Sequence, residues 1–550
     1  MGMMPTYTPE KLRGGYYTPT EVANWLTKWA IRSPENQVLE PSCGDGVFLK
    51  SAIAELQRRQ TLFNKNQANV VAIELNSGEA DKARGIAPKF IDVITSDFFQ
   101  WHSSQTRQFD VVVGNPPFIR YQNFPEPSRT MAMKLMQDFG FRPNRLTNIW
   151  VPFVVASVSL LRENGRLAMV LPAELLQVTY AAQLRQFLVD SFQKLTVFAC
   201  NEIFFEGAEQ EVVLLAAEDK LSAANPNNVC KVAFIEAESI RELTRVSADT
   251  KRRQGVTKTI RHDSEKWLKY FLDNNEITLM RRLREHIEIE TLSSHASIDV
   301  GVVTGKNEFF VMSKTQVDDY ELSDYIIRIV GRSAQLPGTV ISASDHRELS
   351  EAGNRVFLLN ITTDDLRDTP SGLRRMIREG EEKGFHKGYK CSIRDPWYKV
   401  PSLWQPDCFF FRQIYDFPRV VVNKAKATST DTIHRMKCSA PADKVAANLY
   451  THLTAASAEI EGRSYGGGVL ELEPTEAERL LVPRTLNGAM PIAEADNLVR
   501  QGRLDYVLDE NDRLVLRESL GLSVRECGLL KKIWTKMRDR RASRGKGYAE

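Results

Sequence analysis

The chain has 550 residues, 42% of them hydrophobic and 26% charged, with a net charge of +3. That is too long for one ordinary domain, and the composition is that of a water-soluble globular chain of two or three domains. No apolar run is long enough to span a bilayer, and Met1 to Glu10 lacks the basic start and apolar stretch of a signal peptide. Seven scattered cysteines without a C-x-x-C pair, and eight dispersed histidines, point to a reducing compartment; neither a disulfide framework nor a metal site is assigned.

In chain order, Val38-Leu39-Glu40-Pro41-Ser42-Cys43-Gly44-Asp45-Gly46-Val47-Phe48-Leu49 reads as a short strand, a glycine loop and the start of a helix. Glycines there let the backbone approach a ligand closely, but the spacing is neither G-x-G-x-x-G nor a P-loop. A second strand, Asn69 to Leu75, carries Glu74 near its end, where a carboxylate can accept from ribose hydroxyls. Ile94-Thr95-Ser96-Asp97-Phe98-Phe99 sets an Asp able to accept from an adenine amino group beside an aromatic ring for its face. Each of these alone is also what a solvated strand end looks like.

The run Phe109-Asp110-Val111-Val112-Val113-Gly114 then ends in Asn115-Pro116-Pro117-Phe118. Two prolines stiffen the turn and leave carbonyls able to accept. The Asn115 amide oxygen and the Pro116 carbonyl form an acceptor pair for a planar exocyclic amino group, and Phe118 offers a face for a nucleobase. Such a clamp is what methylating an aromatic amine requires. The amine's lone pair is delocalised, and two fixed acceptors draw the nitrogen towards tetrahedral geometry.

Residues 119–148 read as a long loop beside the substrate, followed by an apolar helix from about Asn148 to Leu161 and a strand from Arg166 to Leu171. A helix near Ala181 to Asp190 and strands near 194–199 and 211–217 complete about seven strands. Strands separated by helices predict an α/β fold with a mainly parallel sheet, ligands lying at the carboxyl ends of its strands.

From about Gly14 to Leu215 this order of motifs resembles the gamma-class N6-adenine DNA methyltransferases of type II restriction–modification systems. Gly14-Gly15-Tyr16-Tyr17-Thr18-Pro19 supplies the family's N-terminal Thr-Pro segment. The resemblance implies a seven-stranded Rossmann-like methyltransferase sheet and S-adenosylmethionine as cofactor. Thr18, Glu40, Ser42 and Gly44 would then surround the methionine moiety, Glu74 the ribose, and Asp97 and Phe98 the cofactor's adenine. Asn115, Pro116, Pro117 and Phe118 would hold the target base, with Asn115 also beside the cofactor. Phe204, with Phe205 as the competing choice, would stack on the base from the other side. Phe118 stands where many relatives carry Tyr, so a phenol hydroxyl is absent.

The pattern changes after about residue 220. Thr250 to Arg261 holds five basic residues, including Lys251, Arg252 and Arg253, and no acid, which suits phosphate contact. From about Ile298 the chain is dense in Gly, Pro, aromatic and Arg residues. Gly301 to Phe310, Asp395-Pro396-Trp397-Tyr398, Asn423 to Asp431 and Gly462 to Gly468 resemble segments of the family's target-recognition domains. Arg394, Trp397, Lys424, Lys426 and Arg463 are its candidate phosphate and base-edge contacts; a small packed core around Trp397 and Tyr398 is the competing reading. Residues 531–550 hold eight Lys or Arg against Asp539 and Glu550, a tail for a polyanion or simply a solvated end.

The expected organisation is a catalytic domain over residues 1–245, a basic connection over 246–295, and an α+β target-recognition domain with a basic tail over 296–550. The expected function is site-specific methylation of a flipped adenine in double-stranded DNA by a monomeric, cytoplasmic bacterial enzyme, with a restriction endonuclease acting separately. The rivals are an RNA or protein-glutamine methyltransferase, which is usually much shorter, and a non-catalytic DNA-specificity subunit, against which the intact Asn115, Glu74, Asp97 and Phe118 argue.

Overall fold

The computed structural model describes residues 18–59, 69–88, 91–200, 211–237, 239–245, 265–362, 366–367 and 369–543. The chain divides into two compact units. One comprises Met1–Asn274 with Tyr465–Gly467 and Ser543–Glu550; the other comprises Asn275–Ser464 and Gly468–Ala542.

The first unit is built on one sheet: β1 (Val38–Glu40), β2 (Val70–Glu74), β3 (Asp92–Thr95), β4 (Phe109–Gly114), β5 (Leu161–Pro172), β6 (Phe192–Cys200), β7 (Val212–Lys220) and β8 (Lys231–Ala237). Their order is β3-β2-β1-β4-β5-β7-β6-β8. All neighbours are parallel except β7, which runs against both β5 and β6. The expected α/β sheet is present, with β8 as an additional edge strand beside β6. The helices α1 (Thr20–Ala30) and α2 (Val47–Arg59) pack their apolar stripes on one face, against Val38, Val70, Ala72, Val111 and Val113. Val112 alternates away from that cluster yet is also fully buried, so the opposite face is covered too. Double coverage is why these strands read as unbroken apolar runs.

Two elements differ from the sequence reading. Residues 119–148 contain a helix, α3 (Ser128–Asp138), whose buried positions Ser128, Ala132 and Met136 form too thin a stripe to announce it. The apolar helix α4 (Trp150–Ser159) stops before Leu161, which already pairs with Phe109 of β4. Asn164, at φ +63°, makes a bulge before pairing resumes between Arg166 and Val111.

The second unit is α+β. Its five-stranded sheet contains β9 (Ala296–Asp299), β10 (Val340–Ile341), β11 (Cys408–Phe411), β12 (Val420–Asn423) and β13 (Ile433–Cys438), in the order β9-β13-β11-β12-β10. A second sheet joins Val311–Met312, Phe357–Leu359, Ile326–Val330 and Thr428–Ser429. The basic stretch from Lys531 is no loose tail as far as Ser543, because it completes the helix Val524–Ser543. Leu530, Ile533, Trp534 and Met537 bury one helical face, and Arg541 forms an ion pair with Glu459 at 2.6 Å, each side chain 3% exposed.

Gly301 is a tight point of this unit: a Cβ there would lie 1.9 Å from the Thr430 carbonyl oxygen. Gly301→Ala should therefore cost about 3 kcal/mol or more. Gly528→Ala, on the helix Val524–Ser543 where a Cβ meets nothing, should stabilise by about 0.5–1 kcal/mol. Denaturant midpoints check both; equal midpoints for the two variants would contradict the packing described.

Candidate active site

The chain leaves β1, fills one side of the sheet with β2 and β3, then crosses to β4 on the other side. Such a switch point opens a crevice at the strands' carboxyl ends. A cavity of about 530 Å³ lies there, lined by the loops that follow β1, β2, β3 and β4. Its size is that of a small-molecule site.

The glycine loop forms one wall. The Cys43 N–H donates to the Ile73 carbonyl at 2.9 Å, and the Gly44 N–H donates to Oε2 of Glu74 at 2.9 Å. Oε1 of Glu74 accepts from the Asn76 N–H at 2.8 Å. Glu74 is thus held by two loops while its carboxylate faces the cavity, with lone pairs to spare on each oxygen. Gly44 has φ +53°, and a Cβ there would meet no protein atom, so the space above it is available for a ligand.

The charge of the lining is one-sided. Glu40, Asp45, Glu74, Glu79 and Asp97 contribute carboxyl groups, and among the described residues no Lys, Arg or His lines the cavity. Burial pushes the Glu40 carboxyl well above the usual carboxylate range, and Glu74 and Asp45 add to the rise. Its Oε2 is buried without a hydrogen-bond partner among the described residues. Asp45 is raised by burial and by Glu79. Burial, then Glu40 and Glu74, also push the Cys43 thiol up, which removes it as a thiolate nucleophile. A cavity of this kind receives a cation and repels phosphate.

The far end is aromatic. Asp97 caps a short helix, accepting from the Gln100 N–H at 2.9 Å, and the helix begins with Phe98. Phe98 stacks on Phe153 of α4 with centroids 5.0 Å apart. Phe124 also lines this end and reaches Phe153 through Phe99.

The Asn-Pro-Pro turn closes the remaining side. The Ser42 hydroxyl donates to the Asn115 main-chain carbonyl at 3.1 Å. The Asn115 side-chain NH2 donates to Oγ1 of Thr18, which is 6% exposed, at 3.2 Å. Pro117 lines the cavity and Pro116 is buried beside it. Phe118 is half-buried, outside the lining, and packs against the core beneath α1 and α2. The Ile149 N–H donates to the Ile119 carbonyl at 3.0 Å, tying the segment after the turn to the start of α4.

One cavity thus brings together Thr18, Glu40, Ser42, Gly44, Glu74, Asp97, Phe98 and Asn115. Phe124, Phe153 and Asp45 were not anticipated from the sequence. Asp45 sat inside the glycine loop as a visible signal, whereas the two phenylalanines lie in segments read as loop and core. Phe204 and Phe205, and the basic Lys251, Arg252 and Arg253, lie outside the described residues.

In the second unit, Arg394 donates to the carbonyls of Val303 and Thr304 at 2.6 and 2.8 Å. Trp397 packs 4.8 Å from Phe309 and donates to Glu381, and Arg463 donates to Glu476 at 2.8 Å. These contacts brace the unit itself. Lys424 is exposed and paired with Asp443 at 3.0 Å, and Lys426 is exposed.

Residues 42–204 match the family model described as Eco57I restriction-modification methylase, and residues 264–516 match that of the C-terminal domain of the type II methyltransferase M.Eco57I. The chain is 21% identical over 485 residues to the type II methyltransferase M.AccI of Acinetobacter calcoaceticus, covering 84% of each chain. It is 24% identical over 327 residues to M.HindII of Haemophilus influenzae, covering 57% of this chain and 58% of that one. Among solved structures, the type IIG restriction endonuclease BpuSI aligns at 13% identity and a TM-score of 0.40, over 97% of this chain and 66% of that one. With the two family matches spanning most of the chain, the glycine loop and Asn-Pro-Pro turn inside the first of them, the protein belongs to the Eco57I-type restriction–modification methyltransferases.

Proposed function

We propose that this methyltransferase moves the methyl group of S-adenosylmethionine to the exocyclic N6 of an adenine in double-stranded DNA. The observation that carries the reading is the fastening of Asn115, by Thr18 and Ser42, at the edge of an acidic cavity. The residues fit the cofactor. Glu40, whose buried oxygen has no partner among the described residues, would take the ammonium of the methionine part; Glu74 would take the ribose; Asp97 with Phe98, Phe124 and Phe153 would take the adenine. When bound, the sulfonium supplies an electrophilic methyl group.

The protein's own part is orientation and electrostatics. With its NH2 end donated to Thr18, the Asn115 amide presents its carbonyl end as an acceptor. That oxygen and the Pro116 carbonyl would accept from the two N–H groups of the target amine and align its lone pair for in-line attack. No side-chain nucleophile or base is required, because the surplus proton departs after transfer. An adenine inside a base stack is out of reach, so the base would be flipped out, with Phe118 on one face and Phe204 on the other. In this reading residues 1–245 catalyse and residues 296–550 select the DNA site, joined by 246–295. The enzyme acts as a monomer beside a separate endonuclease.

Asn115→Ala should lower methyl transfer to adenine by at least about a hundredfold, with cofactor affinity by calorimetry near that of the unmodified protein. Retained turnover would reject the clamp. A second expectation concerns Glu40. Its pKa is raised in the folded protein, so its contribution to stability is fully present below the ordinary carboxylate range and is lost as pH rises through the raised value. A bound ammonium reverses that loss. The thermal stabilisation given by S-adenosylmethionine should therefore grow with pH until the ligand's own α-amino group titrates, near about 7.7–8.0. Glu40→Gln should flatten this rise; an unchanged profile would place the ammonium elsewhere.

A further inference from the structure

Three exposed apolar side chains of the second unit lie on two adjoining segments: Val303 is 37% exposed, Tyr389 75% and Ile393 64%. The segments are tied together from below. The Arg394 guanidinium holds the carbonyls of Val303 and Thr304, and a Cβ on Gly305 would lie only 2.8 Å from that of Lys390. The Lys306 ammonium sits 4.8 Å above the Phe385 ring. Exposure here is imposed by the fold. Tyr389 and Ile393 are four residues apart, so the helical turn Tyr389–Ser392 projects them to one side, while Cys391 is 1% exposed and points into the core with Tyr398.

The segment that carries Tyr389 and Ile393 is basic, although Glu381 and Glu382 immediately precede it and Glu308 pairs with Lys306. Between residues 383 and 399 the chain carries Lys383, Lys387, Lys390, Arg394 and Lys399 against one acid, Asp395. Lys387 and Lys390 are exposed on either side of Tyr389. Apolar side chains exposed on a braced backbone beside basic groups suit a polyanion that offers flat apolar faces, whereas a protein groove would not call for the charge. We propose that this surface docks on duplex DNA, with Tyr389 and Ile393 wedged against a base step and Lys387 and Lys390 on the flanking phosphates. Arg394 acts beneath it as a positioning residue, which is a different part from that of a base reader. The proposal rests on the DNA reading above and deepens it.

The test is equilibrium binding of the full-length protein to a fluorescent duplex carrying a site it modifies in cells, across a salt series. The double variant Tyr389→Ala with Ile393→Ala should lose about tenfold or more in affinity with the salt slope unchanged. The double variant Lys387→Ala with Lys390→Ala should flatten that slope by about 2. Tyr389→Trp should retain affinity. Melting temperature and S-adenosylmethionine affinity should be unchanged in all of them. Duplex affinity and salt slope equal to those of the unmodified protein in both double variants would overturn the surface and leave the DNA reading standing. An unmodified protein that binds no duplex would overturn both.

Discussion

The site depends on how Asn115 is fastened. Its main-chain carbonyl accepts from Ser42, its side-chain amide donates to Thr18, and it follows a strand buried between β1 and β5. Two hydrogen bonds are worth about 1 kcal/mol each, too little to hold a catalytic group by themselves. The rigidity comes from what they attach to. Ser42 belongs to a loop pinned at Cys43 and Gly44 by β2, and the prolines that follow Asn115 restrict the turn. The amide is thereby set before any substrate arrives, the condition under which fixed dipoles lower a barrier most.

The cavity beside it is costly to the folded protein. Glu40 is 1% exposed among other carboxyl groups and has an oxygen without a partner among the described residues. A site tuned only for stability would not place it there, and unsatisfied buried acids gather where a ligand completes them. Among the described residues the lining carries carboxyl groups and neither lysine nor arginine, unlike nucleotide sites that grip phosphate. The same crevice at the sheet's switch point is therefore suited to a cationic ligand.

Much of the first unit was legible because its strands are covered on both faces. Val70 to Ile73 and Val111 to Val113 are continuous apolar runs, and each ends in a polar or glycine-rich turn that the fold must put at one edge of the sheet. Residues that share the cavity could be picked out because most sit within a few positions of those strand ends. What stayed hidden lacked such anchoring. β8 is a half-buried edge strand, and α3 buries only every fourth residue. Phe124 and Phe153 meet Phe98 and Phe99 only through tertiary packing. In the second unit, the contacts that Arg394, Trp397 and Arg463 make within the fold were not legible, because guanidinium and indole groups serve equally to reach DNA and to brace carbonyls or fill a core. The helical spacing of Leu530, Ile533, Trp534 and Met537 was visible, but the surrounding lysines and arginines masked it.

One unit presents a fastened amide and an acidic pocket, the other a basic segment with exposed apolar side chains. The most direct measurement supplies purified protein with S-adenosylmethionine labelled in its methyl group and duplex DNA, then resolves the hydrolysed nucleosides by mass. The account predicts label on 6-methyladenine alone. Label on cytosine, or on RNA or protein offered in its place, would contradict it, as would no transfer from a protein that binds both donor and duplex.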